Sequence, residues 1–321
     1  MARSENIVRA MILGLGLSVS YGTVAVAQSY PEQPITFVVG FSAGGFADTM
    51  ARIIADGVSR ELGQPVVVEN QGGAGGDIAA ARVAAADPDG YTVLVTTASF
   101  ALSEALGAQR EYQVSDLAPV AVPVSSPETL AAHPSVPVKN LAELIEWAKT
   151  QEDVTFGHAG IGTGSQVTMS YFLKQLAELD NVIEVTYSGG GPANQAAISG
   201  EVQLVASSNS VYPFIREGLL TGLGIAANTP HDAVPGVGTF TEQGYEGFVV
   251  SSWVGLLVPA ATDPGIQATL NAAVNTVLGD PDARARFADA GVVVHERDLP
   301  AVQQFMQTDI ELWREMVSAT Q

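Results

Sequence analysis

Short β-branched runs that end at glycine-rich loops, each loop opening a helical pattern, set the tightest limit on how this chain folds. Ile35–Val39 is one such run. It stops at Gly40 and the loop FSAGGFAD, after which Met50, Ile53, Ile54, Val58 and Leu62 recur with helical spacing until Gly63. Residues 66–68 read as the next strand, ENQGGAGG as a loop, 78–86 as an Ala-rich helix and 92–96 as a third strand. Strands and helices alternating through short loops predict βαβ units around a mainly parallel sheet. A Pro-rich stretch over 119–137 separates this series from a second one. There, 141–149 is a helix with Asn140 at its N-cap, 154–156 a strand, GHAGIGTGS a loop and 167–179 an amphipathic helix. Strand 182–186, loop YSGGGPA, a helix to Ile198 and strand 202–206 repeat the order. A third stretch, 249–258, leads into helices over 264–278, 281–288 and 300–317. The last has an apolar face of Leu299, Val302, Phe305, Met306, Ile310, Leu312, Trp313 and Met316, suited to docking on the core.

Composition narrows the class of protein. The 321 residues suffice for two domains, and a 47% hydrophobic content supplies a substantial core. Thirty-four Asp and Glu against 14 Lys and Arg give a net charge of -20, which disfavours nucleic acid and anionic membranes as partners. With no cysteine there is no disulfide, thiolate metal site, cysteine nucleophile or lipidated N-terminal Cys. Arg3 and Arg9 precede an apolar stretch over 10–26 that ends in Ala25-Val26-Ala27, the order of an export signal; cleavage is expected after Ala27. The stretch is short and rich in Gly and Ser for a membrane anchor. Residues 1–27 contain two Arg and one Glu, so the mature chain carries 12 basic and 33 acidic residues, a net charge of -21. The expectation is a soluble, monomeric, untethered periplasmic protein.

Three loops could carry chemistry, at residues 42–48, 160–166 and 188–194. Each follows a strand and opens a helix, where unpaired backbone N–H groups and the positive end of the helix dipole favour an anion, and glycine allows close approach. This matters in a chain with three lysines, Lys139, Lys149 and Lys174. Asp48 suits an N-cap; Thr163 and Ser165 could donate to a carboxylate or cap the following helix. Trp253 reads as core or hinge packing. Catalytic patterns are weak. Gly160, Gly162 and Gly164 only partly match a dinucleotide loop, no zinc-binding helix or phosphate loop occurs, and the four histidines lack ligand spacing. Ser165 with His158 is the nearest approach to a nucleophile and base, as an exported α/β hydrolase or transferase would need. No catalytic residue, metal or cofactor is expected.

The whole pattern resembles the extracytoplasmic solute receptors of tripartite tricarboxylate transporters, the Bug or TctC-like family. YPEQPITFVVGFSAGGFADTMARIIADGVSRELGQPVVVENQGGAGGDIAAARVAAADPDGYTVLV, residues 30–95, is similar to that family's N-terminal signature almost throughout. FGHAGIGTGSQV resembles its second loop, VTYSGGGPANQAAISGEVQLV its third, and SSWVGLLVPAATDP the segment that returns to the first domain. The resemblance implies an α/β, type II periplasmic binding protein: two βα domains, 30–124 plus 251–321 and 125–250, joined by two crossings with a ligand cleft between them. It implies capture of a small organic acid for a membrane permease, or signalling to a sensor kinase. Position by position it nominates Ser42, Gly45, Phe46 and Asp48, then Thr97, Ala98 and Ser99, as ligand-binding residues of the first domain. In the second it nominates Gly162, Thr163, Ser165, Gln166, Tyr187, Gly190 and Gly191. The chain departs from the family at Gly40, Ser42 and Ala43, where a Pro-rich loop is usual. Gln166 stands where His is common, Ala196 where Asp is usual, and Asn194 where an apolar residue is typical.

Overall fold

Phe37, Val38 and Val39 are fully buried, so a continuous apolar run marks the strand with neighbours on both sides. A computed structural model describes residues 30–107 and 109–320, without the side chains of residue 312 and residues 315–320. The export signal expected over 1–27, and the Leu312 and Met316 side chains, lie outside that description. In the first sheet, β1 (Ile35–Val39) lies between β2 (Val66–Asn70) and β3 (Thr92–Thr97), parallel to both. Next come β10 (Ser251–Pro259), antiparallel to β3, then β4 (Leu117–Pro127) and the two-residue β11 (Val293–Val294). Helix α1 (Phe46–Leu62) ends at Gly63 in the left-handed conformation, φ 67°, the backbone state that glycine adopts without strain. Its Gly57 packs directly against Val277 of α8 (Pro264–Gly279), where any Cβ would overlap the valine. α2 (Asp77–Ala84), α3 (Ser99–Ala105), α9 (Pro281–Asp289) and α10 (Leu299–Thr320) complete the helices of this lobe. On α10, Val302, Met306, Ile310 and Trp313 are buried, as the apolar face predicts. Trp253 is buried too, edge-on to Phe305, with its indole N–H donating to Asp309 at 3.0 Å.

The second sheet repeats the scheme. β6 (Val154–His158) lies between β7 (Val182–Thr186) and β8 (Leu204–Ser207), parallel to both; β5 (Thr129–Ala132) runs antiparallel to β8, and β9 (Thr221–Ile225) antiparallel to β5. Its helices are α4 (Leu141–Ala148), α5 (Gly164–Ser170), α6 (Gly190–Ser199) and α7 (Tyr212–Arg216). Phe172 meets Phe240 edge-on with ring centroids 4.8 Å apart, and Phe240 lies 4.6 Å from Phe248, forming an aromatic centre for this lobe.

Several expectations change. Both sheets are mixed rather than mainly parallel, because the strands that join the parallel trios come from the stretches that read least like strands. The Pro-rich stretch holds β4 and β5. Pro119, Pro123 and Pro127 lie on β4, whose partner on one side is only two residues long and whose ladder to β10 is irregular, so a missing N–H is tolerated. β9 was hidden by glycines. A Cβ at Gly222 would come within 2.5 Å of Val237, so the spacing that weakens the strand pattern serves packing. The helix expected over 167–179 starts earlier, at Gly164, and continues as a π-helical turn over Tyr171–Leu176.

Candidate functional site

The chain passes between the two sheets twice, and the passages are bonded to each other. Glu128 N–H donates to the Val250 carbonyl at 3.0 Å, Ala226 N–H to the Glu128 carbonyl at 2.8 Å, and Val250 N–H to the Ala226 carbonyl at 3.1 Å. Above this junction the first turns of α1, α5 and α6 converge.

Gly45 is the N-cap of α1, with no side-chain cap, so Asp48 is not the cap expected from its residue type. It sits in the first turn instead, buried, and reaches back to the loop. Its carboxylate accepts from Gly44 N–H at 2.9 Å, from Asn70 Nδ2 at 2.9 Å and from Arg52, whose guanidinium lies 2.9 Å away. Asn70 also donates to the Phe41 carbonyl at 2.9 Å, tying β2 to the same loop. Burial alone would raise the Asp48 carboxyl, but the bonds from Arg52, Gly44 and Asn70 outweigh it and hold it below its ordinary range.

In the second lobe the brace is uncharged. Thr163 caps α5, accepting from Gln166 N–H at 3.3 Å, donating to the Gly160 carbonyl at 2.7 Å, and sharing a 3.2 Å bond with Ser165 Oγ. Behind α6, Asn194 is fully buried and donates to Ser210 Oγ at 3.1 Å; Ser210 in turn meets Ser207 Oγ at 2.7 Å. The lobes touch through backbone. Ser42 N–H donates to the Ser188 carbonyl at 3.2 Å, the two hydroxyls are 2.7 Å apart, and a Cβ on Gly191 would lie 2.5 Å from the Ala43 carbonyl oxygen.

Between the lobes is a cavity of about 40 Å³, several times what one water molecule needs. Gly45, Phe46 and Ala47 line it from α1, Thr163, Gly164 and Ser165 from α5, and Gly190 from α6. Thr97, Ser207, Ser208 and Ser252 add hydroxyls at strand ends, and Phe41, Ala159 and Glu128 complete the wall. A wider opening of about 380 Å³ shares Phe41 and Ala159 with it and is bordered by the Gly73–Gly76 loop, Ile161 and Tyr187.

Of the residues nominated from sequence, Gly45, Phe46, Thr97, Thr163, Ser165 and Gly190 line the cavity together. Ser42 and Gly191 form the seam between lobes, and Asp48 braces its loop. Ala98 and Ser99 are buried at the start of α3, Ser99 Oγ bonding Thr97 Oγ1 at 2.8 Å. Gly162 N–H donates to Gln166 Oε1, and Gln166 Nε2 donates to Glu184 at 2.8 Å, so that amide braces the second loop. Tyr187 borders the outer opening and donates to Glu201 at 2.8 Å. His158 is fully buried; its Nδ1 accepts from Gly160 N–H at 3.3 Å, while Nε2 faces Glu184 at 3.7 Å and makes no bond to Ser165. Burial lowers its pKa, so the ring is neutral near pH 7. Ser165 and His158 are therefore not in contact.

Glu128 was missed, as were Phe41, Ala47, Ala159, Gly164, Ser207, Ser208 and Ser252. One signal was available. From Leu117 to Val138, Glu128 is the only Asp, Glu, Lys or Arg, in a stretch whose prolines obscured two strands.

Comparison with known proteins agrees with this architecture. A family model described as "Tripartite tricarboxylate transporter family receptor" matches residues 50–321. Protein BugT of Bordetella pertussis is 32% identical over 299 residues, covering 92% of this chain and 91% of its own length. The solved periplasmic binding protein BugD matches with a TM-score of 0.86 at 30% identity, covering 90% of this chain and 98% of BugD. MatC from Rhodopseudomonas palustris, solved with bound malate, matches with a TM-score of 0.84 at 36% identity, covering 90% of this chain and 100% of its own.

Proposed function

This chain belongs to the tripartite tricarboxylate transporter receptor family, and on that premise we propose that it is an exported, monomeric receptor that captures a small organic acid and delivers it to a membrane permease. The observation that carries the reading is the convergence of three helix starts, from both lobes, on one hydroxyl-lined cavity. Free N–H groups at those starts, with Thr97 and Ser165, receive a ligand carboxylate; bonds of this kind to a charged group are each worth about 1.5–3 kcal/mol. The net charge of the chain is strongly negative, yet the helix ends supply local positive potential without a basic side chain. Ser42, Gly190 and Gly191 bring the lobes together, and Asp48, Gln166 and Tyr187 hold the loops in register. We assign the lobes to 30–127 plus 251–321 and to 129–249, three residues beyond the boundary expected at 124 because Ser125, Ser126 and Pro127 pair within the first sheet, with the bonded passages at Glu128 and Val250 as the hinge on which the cleft opens and closes. The function is capture, with no chemical step.

A thermal-shift screen of the mature protein against mono-, di- and tricarboxylates tests this. A ligand at 100 times its Kd adds about 2.7 kcal/mol of stability. If no organic acid raises the melting temperature while an ester or peptide is turned over, the reading is wrong.

A further inference from the structure

Glu128 gives the cavity something that a site for plain carboxylates does not need. It is 1% exposed and, among the described residues, is the only ionisable side chain lining the cavity. Both of its carboxylate oxygens lie 3.5 Å from Ser208 Oγ, and Oε1 is 3.2 Å from where a Cβ on Gly164 would stand. Among the described residues, no Lys, Arg or His pairs with it. Its backbone is held on both sides by Val250 and Ala226, which fixes its Cα at the passage between the lobes.

A buried carboxylate with no partner is costly and stays neutral where it can. Burial pushes the Glu128 carboxyl up to about 8. Neutral hydrogen-bond donors are already present here: Thr97, Ser165, Ser207 and Ser252 all line the cavity. What Glu128 adds is a negative charge, available once a cation arrives to share it. Phe41 and Phe46 line the same cavity and offer aromatic surface, which also attracts cations.

We infer that the ligand carries an ammonium group as well as a carboxylate, with Glu128 receiving the ammonium while the helix starts receive the carboxylate. This rests on the proposed carboxylate site and narrows it to amino acids and similar zwitterions. On binding, Glu128 loses its proton to solvent and the ammonium takes its place as the partner. Tyr212, the titratable neighbour that feels Glu128, stays neutral at pH 7 because burial pushes its phenol up.

The test uses matched pairs that differ by one amino group: acetate and glycine, succinate and aspartate, glutarate and glutamate. Calorimetric titration at pH 7 should show the aminated member of the best-binding pair favoured by about tenfold or more. Glu128→Gln should remove that preference, bringing the affinity ratio within the pair to about one. A second measurement needs no variant. In buffers of different ionisation enthalpy, the aminated ligand should release close to one proton per site and the plain acid none. Equal affinities within each pair, or a preference untouched by Glu128→Gln, or no proton release, overturns the inference and leaves carboxylate capture standing. If no acid of either kind binds, the proposed function itself fails.

Discussion

The two lobes build the same half-site with different chemistry. Each places a parallel trio of strands beside an antiparallel strand, β2-β1-β3 with β10 and β7-β6-β8 with β5, and each turns helix starts toward the cleft. In the first lobe a buried carboxylate, Asp48, holds the loop through Arg52 and Asn70. In the second, hydroxyls and amides do so, and the acid near the loop, Glu184, lies outside the cavity, paired with Lys174 and bonded by Gln166. Both of those acids are compensated by neighbours within their own lobe. Glu128, at the passage between lobes, has no such partner. An acid that braces a loop and an acid kept for a ligand are thus told apart by whether the fold supplies the cation.

The largest expected effect tests that distinction. The Glu128 carboxyl rises from an ordinary 4.5 to about 8 in the folded chain, so the native state holds its proton where the unfolded state does not. Stability from this group is complete below about pH 4.5 and is lost as pH rises through 8, a loss on the order of 4 kcal/mol by pH 9. Denaturant unfolding of ligand-free protein should show this slope in wild type and its absence in Glu128→Gln; parallel pH profiles would end the contrast. Asp48→Ala comes next. It strands Arg52, Asn70 and the Gly44 N–H and should cost about 2–3 kcal/mol at pH 7. Because the Asp48 carboxyl is held low, its contribution is lost as pH falls, opposite in sign to that of Glu128. A smaller change separates binding from folding: Gly191→Ala puts a Cβ 2.5 Å from the Ala43 carbonyl across the seam. Ligand affinity should drop about tenfold, near 1.4 kcal/mol, with the unfolding midpoint of free protein unmoved. Thr163→Ala, which removes the uncharged cap of α5, should cost about 1 kcal/mol by the same unfolding assay. A cost equal to that of Asp48→Ala would erase the difference between the braces.

Much of this site was legible. The strands Ile35–Val39 and Val182–Thr186 end where their patterns end, and the loops after Val39, His158 and Thr186 do open helices. Signals of this kind are local: β-branched runs, helical spacing and a glycine at the break. Asp48 shows where locality stops. A carboxylate near a helix start reads as a cap, yet Asn70, on the neighbouring strand, and Arg52, one turn along, recruit it to the loop instead. Gln166 reads as a cleft residue from its place in the motif, but Glu184 on β7 draws its amide away. β4 and β9 were obscured because proline and glycine, which weaken a strand in isolation, are acceptable beside a short edge partner or a close-packed valine.

The alternation of strand, glycine-rich loop and helix, the acidic excess and the absence of cysteine were determined by the sequence alone, because periodicity and composition are carried by neighbouring residues; the two-lobed receptor is what the resemblance of residues 30–95 and the later loops to a known family implies. The tertiary structure decided the rest. It inserted β10 beside β3 and β5 beside β8, set glycine backbone against backbone across the seam, and placed Glu128 in the cavity between the lobes. Those outcomes depend on contacts among Glu128, Gly164, Ser208 and Val250, residues far apart in the chain that share an environment only after both sheets have formed.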